Sequence, residues 1–184
     1  MKNADNPSFY GANETLTTAT QKSSNTFFVG LADQLFGCNL QPIIDMAKRL
    51  GMKGFDQPSG EGDLTVAQTI VNSQRPAELM LGAVGTSPLE LAGAYAGVAN
   101  LGRFNAPSPI LSITDVDGNP VPVKRTAGKQ VIQPQVALQA IDILKGDTVG
   151  VGTSAGEFAS KWYPVNPSAV AGKTGTGVAR DESK

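Results

Sequence analysis

Residues 169–178 read AVAGKTGTGV. Gly172-Lys173-Thr174 has the form that ends a phosphate-cradling loop, whereas Lys173-Thr174-Gly175-Thr176 has the form of a strand edge facing a substrate. Spacing separates the two. A phosphate loop needs a glycine five positions before the Gly of Gly-Lys-Thr, so that backbone N–H groups can wrap the phosphates. That position is Pro167, which has no N–H and a fixed φ. Thr176-Gly177-Val178 is also a poor start for the helix such a loop must open. A second nucleotide-like element, Gly150-Val151-Gly152 with Ala155, follows a helical pattern and not a strand, so it lacks the context of a dinucleotide fingerprint.

Composition narrows the chemistry further. The chain has 184 residues, 40% hydrophobic and 17% charged, enough for one cored domain or a large part of a bigger one. Its net charge of −1 gives no electrostatic footprint for nucleic acid or an anionic membrane. No run approaches a membrane span, and the N-terminus lacks a basic segment followed by an apolar one. Histidine is absent, which removes Ser-His-Asp and Cys-His catalysis and His-based metal sites together. Any general base is therefore Lys, Asp, Glu or Tyr. The single cysteine, Cys38, cannot form an internal disulfide, and with no basic neighbour in the sequence it reads as a small filler.

The patterning predicts helices and short strands. Thr15 to Phe36 reads as helix, broken at Ser23-Ser24-Asn25 because Ser and Asn favour caps and turns. Phe28, Leu31 and Leu35 then recur at helical spacing before a stop at Gly37. Ile43, Ile44, Ala47 and Leu50 mark a second helix, with Lys48 and Arg49 in its last turn. Lys53 to Asp63 reads as loop. Ser87-Pro88-Leu89-Glu90 opens a capped helix, in which Leu91, Tyr95 and Val98 share a face and small residues fill the rest, as in an interior helix. Ile110 to Val123 reads as a hairpin around Asp117-Gly118, and Val136 to Leu144 as helix. Lys145 to Asn166 reads as loop, and Ala169-Val170-Ala171 as a short buried strand. Tyr95 and Trp162 read as core or wall residues. The mixture predicts an α/β or α+β body.

Two short motifs stand in order: Ser23-Ser24-Asn25, of the form Ser-x-Asn, and Lys173-Thr174-Gly175. Alone, Ser23 and Asn25 suit a helix cap or turn, and Lys173 suits a strand edge. Their surroundings decide the reading. QKSSNTFFVGLADQLFG (residues 21–37), VGTSPLELAGAYAGVANLGRFNAPSPI (84–110) and VAGKTGT (170–176) resemble the transpeptidase domain of class A penicillin-binding proteins of actinobacterial type. The likeness runs from about Asn3 to Thr176.

That resemblance implies a β-lactamase/transpeptidase-like fold and serine acyl transfer from D-alanyl-D-alanine stem peptides in peptidoglycan synthesis, with no cofactor. It implies that Ser23 relays a proton, that Asn25 holds the substrate amide, and that Lys173 supplies positive charge. It also implies that Thr174 and Thr176 bind the substrate carboxylate, with the Thr176 N–H as half of an oxyanion hole, and that Gly175 lets ligand approach the strand. The expected partners are stem peptides, β-lactams and the rest of the transpeptidase domain; the expected location is the outer face of the cytoplasmic membrane, in a parent anchored there.

One element of the family pattern is missing: no Ser-x-x-Lys occurs anywhere in the chain. Thr126-Ala127-Gly128-Lys129 has the spacing but falls after Ser-x-Asn, out of order. Residues 1–184 therefore read as a partial transpeptidase domain, a helical part plus the remnant of an antiparallel sheet. The segment carrying the nucleophile and the closing strands and helix lie outside it, and Met1 reads as an internal methionine. A non-catalytic module binding cell-wall peptides or a partner protein is the second reading. A β-lactamase fits less well, because Glu61, Glu78, Glu90 and Glu157 lie in text unsuited to a deacylating glutamate.

Overall fold

The computed structural model describes residues 14–37, 39–73, 76–161 and 166–175; Cys38, Trp162 and Thr176 lie outside them. In chain order the elements are α1 (Leu16–Gln21), α2 (Asn25–Phe36), α3 (Gln41–Arg49), a 3-10 turn (Lys53–Asp56), α4 (Val66–Ser73), α5 (Pro76–Met80) and α6 (Pro88–Ala99). Then follow β1 (Arg103–Phe104), β2 (Ile113–Thr114), β3 (Pro120–Val121), β4 (Lys129–Gln130), α7 (Pro134–Lys145), α8 (Ala155–Lys161) and a second 3-10 turn (Pro167–Ala169). The chain divides into two compact units, one of residues 29–138 and one of residues 1–28 with 139–184. Helices with two small antiparallel sheets are the architecture expected from the sequence.

In the 29–138 unit an apolar core organises the helices. Leu40 and Ile44 of α3 and its cap, Phe55 of the 3-10 turn, and Ala67 and Ile70 of α4 are buried together, with Met52, Val71 and Leu79 packed around them. Each fully buried aliphatic side chain contributes about 1.5–3 kcal/mol. α4 and α5 were not foreseen. α4 is opened by a reciprocal cap, the Thr65 N–H donating to Gln68 Oε1 at 2.8 Å and the Gln68 N–H to Thr65 Oγ1 at 3.3 Å.

α6 begins with the predicted capping box: the Glu90 N–H donates to Ser87 Oγ (3.2 Å) and the Ser87 N–H to Glu90 Oε2 (3.2 Å). The helix is not interior throughout. Gly93, Ala94 and Gly97 form its buried face, Gly93 lying on Pro107 and Phe104 and Gly97 on Leu50 and Phe104. Leu91 and Tyr95 are exposed, because the small residues, not the large ones, let β1 come close. Gly102 closes the turn after α6 with φ +80°, and a Cβ there would run into the Ile132 carbonyl. Its own carbonyl accepts from the Val131 and Ile132 N–H groups at 2.9 and 3.1 Å, which seats β4 beside β1 with Arg103 opposite Gln130. The predicted hairpin forms as β2–β3, Ile113 opposite Val121.

Two readings are corrected in the other unit. Residues 145–166 are not all loop, since α8 forms behind the Ser154 carbonyl, which accepts the Phe158 N–H at 3.1 Å. Ala169-Val170-Ala171 is not a buried strand. Pro167 starts a 3-10 turn, the Ser168 N–H donates to Asn166 Oδ1 at 3.1 Å, and Ala169 and Ala171 are exposed. Val170 has extended backbone (φ −108°, ψ 131°), but among the described residues no strand pairs with it.

Candidate functional site

The Ser-x-Asn motif is positioned by the way α1 ends. The Ser24 N–H donates to Ala19 O at 2.9 Å and the Ser23 N–H to Thr20 O at 3.1 Å. This is the hydrogen-bond pattern of a Schellman termination, whose left-handed position is ordinarily glycine. Here the position belongs to Ser23, with φ +54°, a conformation that costs a side-chain-bearing residue about 1 kcal/mol. Ser24 is buried and its hydroxyl lies 3.4 Å from the Phe27 N–H. The middle residue is thus an anchor, and the half-buried Ser23 and Asn25 flank it at the mouth of α2.

The Lys-Thr-Gly segment is tied down at several points. The Gly172 N–H donates to Leu144 O (3.2 Å), at the end of α7. The buried Thr148 hydroxyl lies 2.7 Å from Pro167 O and 3.2 Å from Val170 O. The Thr174 N–H donates to Asp147 Oδ2 at 3.2 Å. Among the described residues the Lys173 ammonium donates to Thr174 Oγ1 (2.9 Å) and Thr174 O (3.2 Å), and its ion-pair partner is Asp147, with Oδ1 3.6 Å away.

Asp147 is the residue that motif reading missed. It is only 2% exposed. Its carboxylate accepts from the Thr153 hydroxyl (2.6 Å), the Ser154 hydroxyl (2.9 Å) and the Thr174 N–H, so the buried charge is fully met. The loop that holds it folds back on itself: a Cβ on Gly152 would strike the carbonyl oxygens of Gly146 and Asp147. No spacing rule marks an Asp six residues before a Thr; only the glycines around it, at positions 146, 150 and 152, hinted at a tight turn.

This loop also connects the two motifs. The Thr153 N–H donates to Gln21 O, the last residue of α1, at 3.2 Å, and Gly146 lies against the Gln21 side chain. The Thr153 hydroxyl is hydrogen-bonded to the Thr174 hydroxyl. One loop, residues 146–154, thus touches both Gln21, two residues before Ser23, and Thr174 of the Lys-Thr-Gly segment, although the Lys173 contacts do not include Ser23 or Asn25. Chemically the site offers a fixed ammonium, a strained serine and an amide side chain. Among the described residues no group of His, Cys, Asp and Glu could hold a metal ion, and no helix is long and apolar enough to cross a membrane.

Comparison with known proteins agrees with the motifs. The profile of the penicillin binding protein transpeptidase domain matches residues 1–184. Penicillin-binding protein 1A of Clostridium tetani is 27% identical over 172 residues, 94% of this chain and 20% of that protein. Penicillin-binding protein 1F of Bacillus subtilis is 33% identical over 94 residues, 49% of this chain and 13% of that protein. The chain thus spans a fifth or less of these curated relatives. Among solved structures, penicillin-binding protein A of M. tuberculosis superposes with a TM-score of 0.56 at 26% identity, covering 78% of this chain and 32% of that one. Its ceftriaxone acyl-enzyme complex gives 0.55 at 26%, covering 74% and 31%.

Proposed function

The chain belongs to the penicillin-binding protein transpeptidase family, and from that premise we propose that it supplies the substrate-holding part of a serine-type D,D-transpeptidase. The reaction is acyl transfer between peptidoglycan stem peptides. A serine hydroxyl attacks the D-alanyl-D-alanine carbonyl, the C–N bond breaks and D-alanine leaves. The acyl group then passes from the serine ester to an amine of a second stem peptide. Within residues 1–184 the roles are to bind and to move protons. Ser23 carries the proton toward the leaving amine, Asn25 holds the substrate amide, and Lys173 draws the terminal carboxylate, with Thr174, Gly175 and Thr176 along the ligand. No Ser-x-x-Lys is present, so the nucleophile comes from outside these residues and the chain alone is inactive. β-Lactams bind the same residues, and the reaction takes place on the outer face of the cytoplasmic membrane.

The observation that supports this reading is a left-handed Ser23 just after Gln21 and an anchored Lys173 beside Thr174, with Gln21 and Thr174 both bonded to Thr153. Strain retained at a non-glycine position points to a role for the side chain. The second reading, a binding module without chemistry, is favoured by the missing Ser-x-x-Lys.

Titration of the chain with N-acetyl-D-alanyl-D-alanine, followed by NMR, tests the site. Shifts centred on Asn25 and Lys173, abolished in Lys173→Ala, are expected; shifts elsewhere, or none, sink the assignment. A fluorescent penicillin should leave no covalent label on the chain, and a stable adduct would show that a nucleophile is present after all.

A further inference from the structure

The hydrogen bonds around Lys173 admit only one direction. A carboxylate can only accept and an ammonium can only donate, while each hydroxyl has a single hydrogen. The Thr153 hydroxyl gives its hydrogen to Asp147 Oδ1 at 2.6 Å. The bond between the Thr153 and Thr174 hydroxyls must then be donated by Thr174. With that hydrogen spent, the Thr174 oxygen meets Lys173 Nζ as an acceptor, at 2.9 Å. The chain runs from Lys173 through Thr174 and Thr153 to Asp147, every hydrogen pointing toward the aspartate. Ser154 locks the far side of the carboxylate with its own hydroxyl at 2.9 Å.

We propose that Asp147 is a positioning residue: directly across 3.6 Å and through Thr153 and Thr174, it sets the orientation of the Lys173 ammonium that meets an anionic peptide terminus. Two of the three ammonium N–H bonds go to Thr174 Oγ1 and Thr174 O; the third is left for a ligand carboxylate, in competition with Asp147 Oδ1 at 3.6 Å. The inference rests on the transpeptidase reading for the ligand, but the orientation of Lys173 is measurable without one.

The test is competitive acetylation of the folded chain by an N-hydroxysuccinimide ester, read by mass spectrometry as the rate at Lys173 relative to the exposed Lys129. Asp147→Asn removes the ion-pair partner of Lys173, and the isosteric Thr153→Val frees the Thr174 hydroxyl on which the ammonium rests. The relative rate at Lys173 should rise about tenfold, the factor that corresponds to 1.4 kcal/mol. Thr153→Ser keeps the hydroxyl and should label like the parent. Equal Lys173 rates in parent, Thr153→Val and Thr153→Ser overturn the proposal, and Thr153→Val decides the matter even if Asp147→Asn does not fold. A second arm adds N-acetyl-D-alanyl-D-alanine or its C-terminal amide. Protection of Lys173 by the acid but not the amide in the parent, reduced in Thr153→Val, supports the ammonium as carboxylate donor; equal protection by both ligands refutes it. If neither ligand protects while the labelling difference stands, the substrate reading fails and the positioning by Asp147 holds.

Discussion

At the scale of single residues, Ser23 and Gly102 occupy similar left-handed backbone for opposite reasons. Gly102 is there because nothing else fits: Gly102→Ala places a methyl against the Ile132 carbonyl at positive φ. It should destabilise by about 2–4 kcal/mol, the sum of a backbone and an overpacking penalty, measured by urea unfolding. Ser23 is there although glycine would fit better. Ser23→Gly should therefore stabilise the chain by about 1 kcal/mol while removing the hydroxyl on which the proposed proton relay depends. A Ser23→Gly variant less stable than the parent would mean that the hydroxyl has a structural role. Gly30, in the interior of α2 with open space around it, is a control: Gly30→Ala should add about 0.5–1 kcal/mol.

At the scale of elements, α6 shows what local rules can carry. Its Glu90 accepts hydrogen bonds from the Ser87 N–H, the Thr86 hydroxyl and the Lys53 N–H, and the Ser87 bond foremost holds its carboxyl below the ordinary glutamate range. Because the folded-state pKa is depressed, this contribution is present above the unfolded value of about 4.3 and is lost as pH falls through the folded one. Asp115, lowered chiefly by the Asn119 N–H, acts in the same direction. Thermal unfolding between pH 6 and pH 3 should thus show a smaller fall in Tm for Glu90→Gln than for the parent, and Ser87→Ala should cost about 1 kcal/mol. Most elements closed by such local signals were legible, the α1–α2 break, α3, α6, the β2–β3 hairpin and α7; α4 is the exception, its local Thr65–Gln68 cap having been passed over. Those decided by tertiary packing were not. α5 is five residues long, α8 lies in Gly- and Ser-rich text, and the apolar Ala169-Val170-Ala171 run meets no partner strand among the described residues.

At the scale of the whole molecule, the two units are built from different materials. Residues 29–138 enclose the apolar cluster of Leu40, Ile44, Phe55, Ala67 and Ile70. Among the described residues of the other unit the buried side chains are Ala19 and the polar Thr20, Ser24, Asp147 and Thr148, and the burial of these polar groups is offset by hydrogen bonds and not by apolar transfer. Local stability follows buried apolar contact, so amide exchange should be slowest in α3 and α4 and markedly faster in α1 and residues 144–154; the reverse order in exchange mass spectrometry would contradict this. The same contrast explains what the sequence could disclose of the site. Ser23, Asn25 and Lys173 are proposed because they stand in short motifs. Asp147 and Thr153 carry no motif, and only the folding of a glycine-lined loop brings them under the lysine.

That one-way file of hydrogens has a consequence for recognition. A visiting carboxylate must share the lysine with an anion already in residence, so the resting complex gains little and ligands should come and go quickly. Tight grip at this lysine is therefore reserved for species that bring more negative charge than a ground-state peptide does.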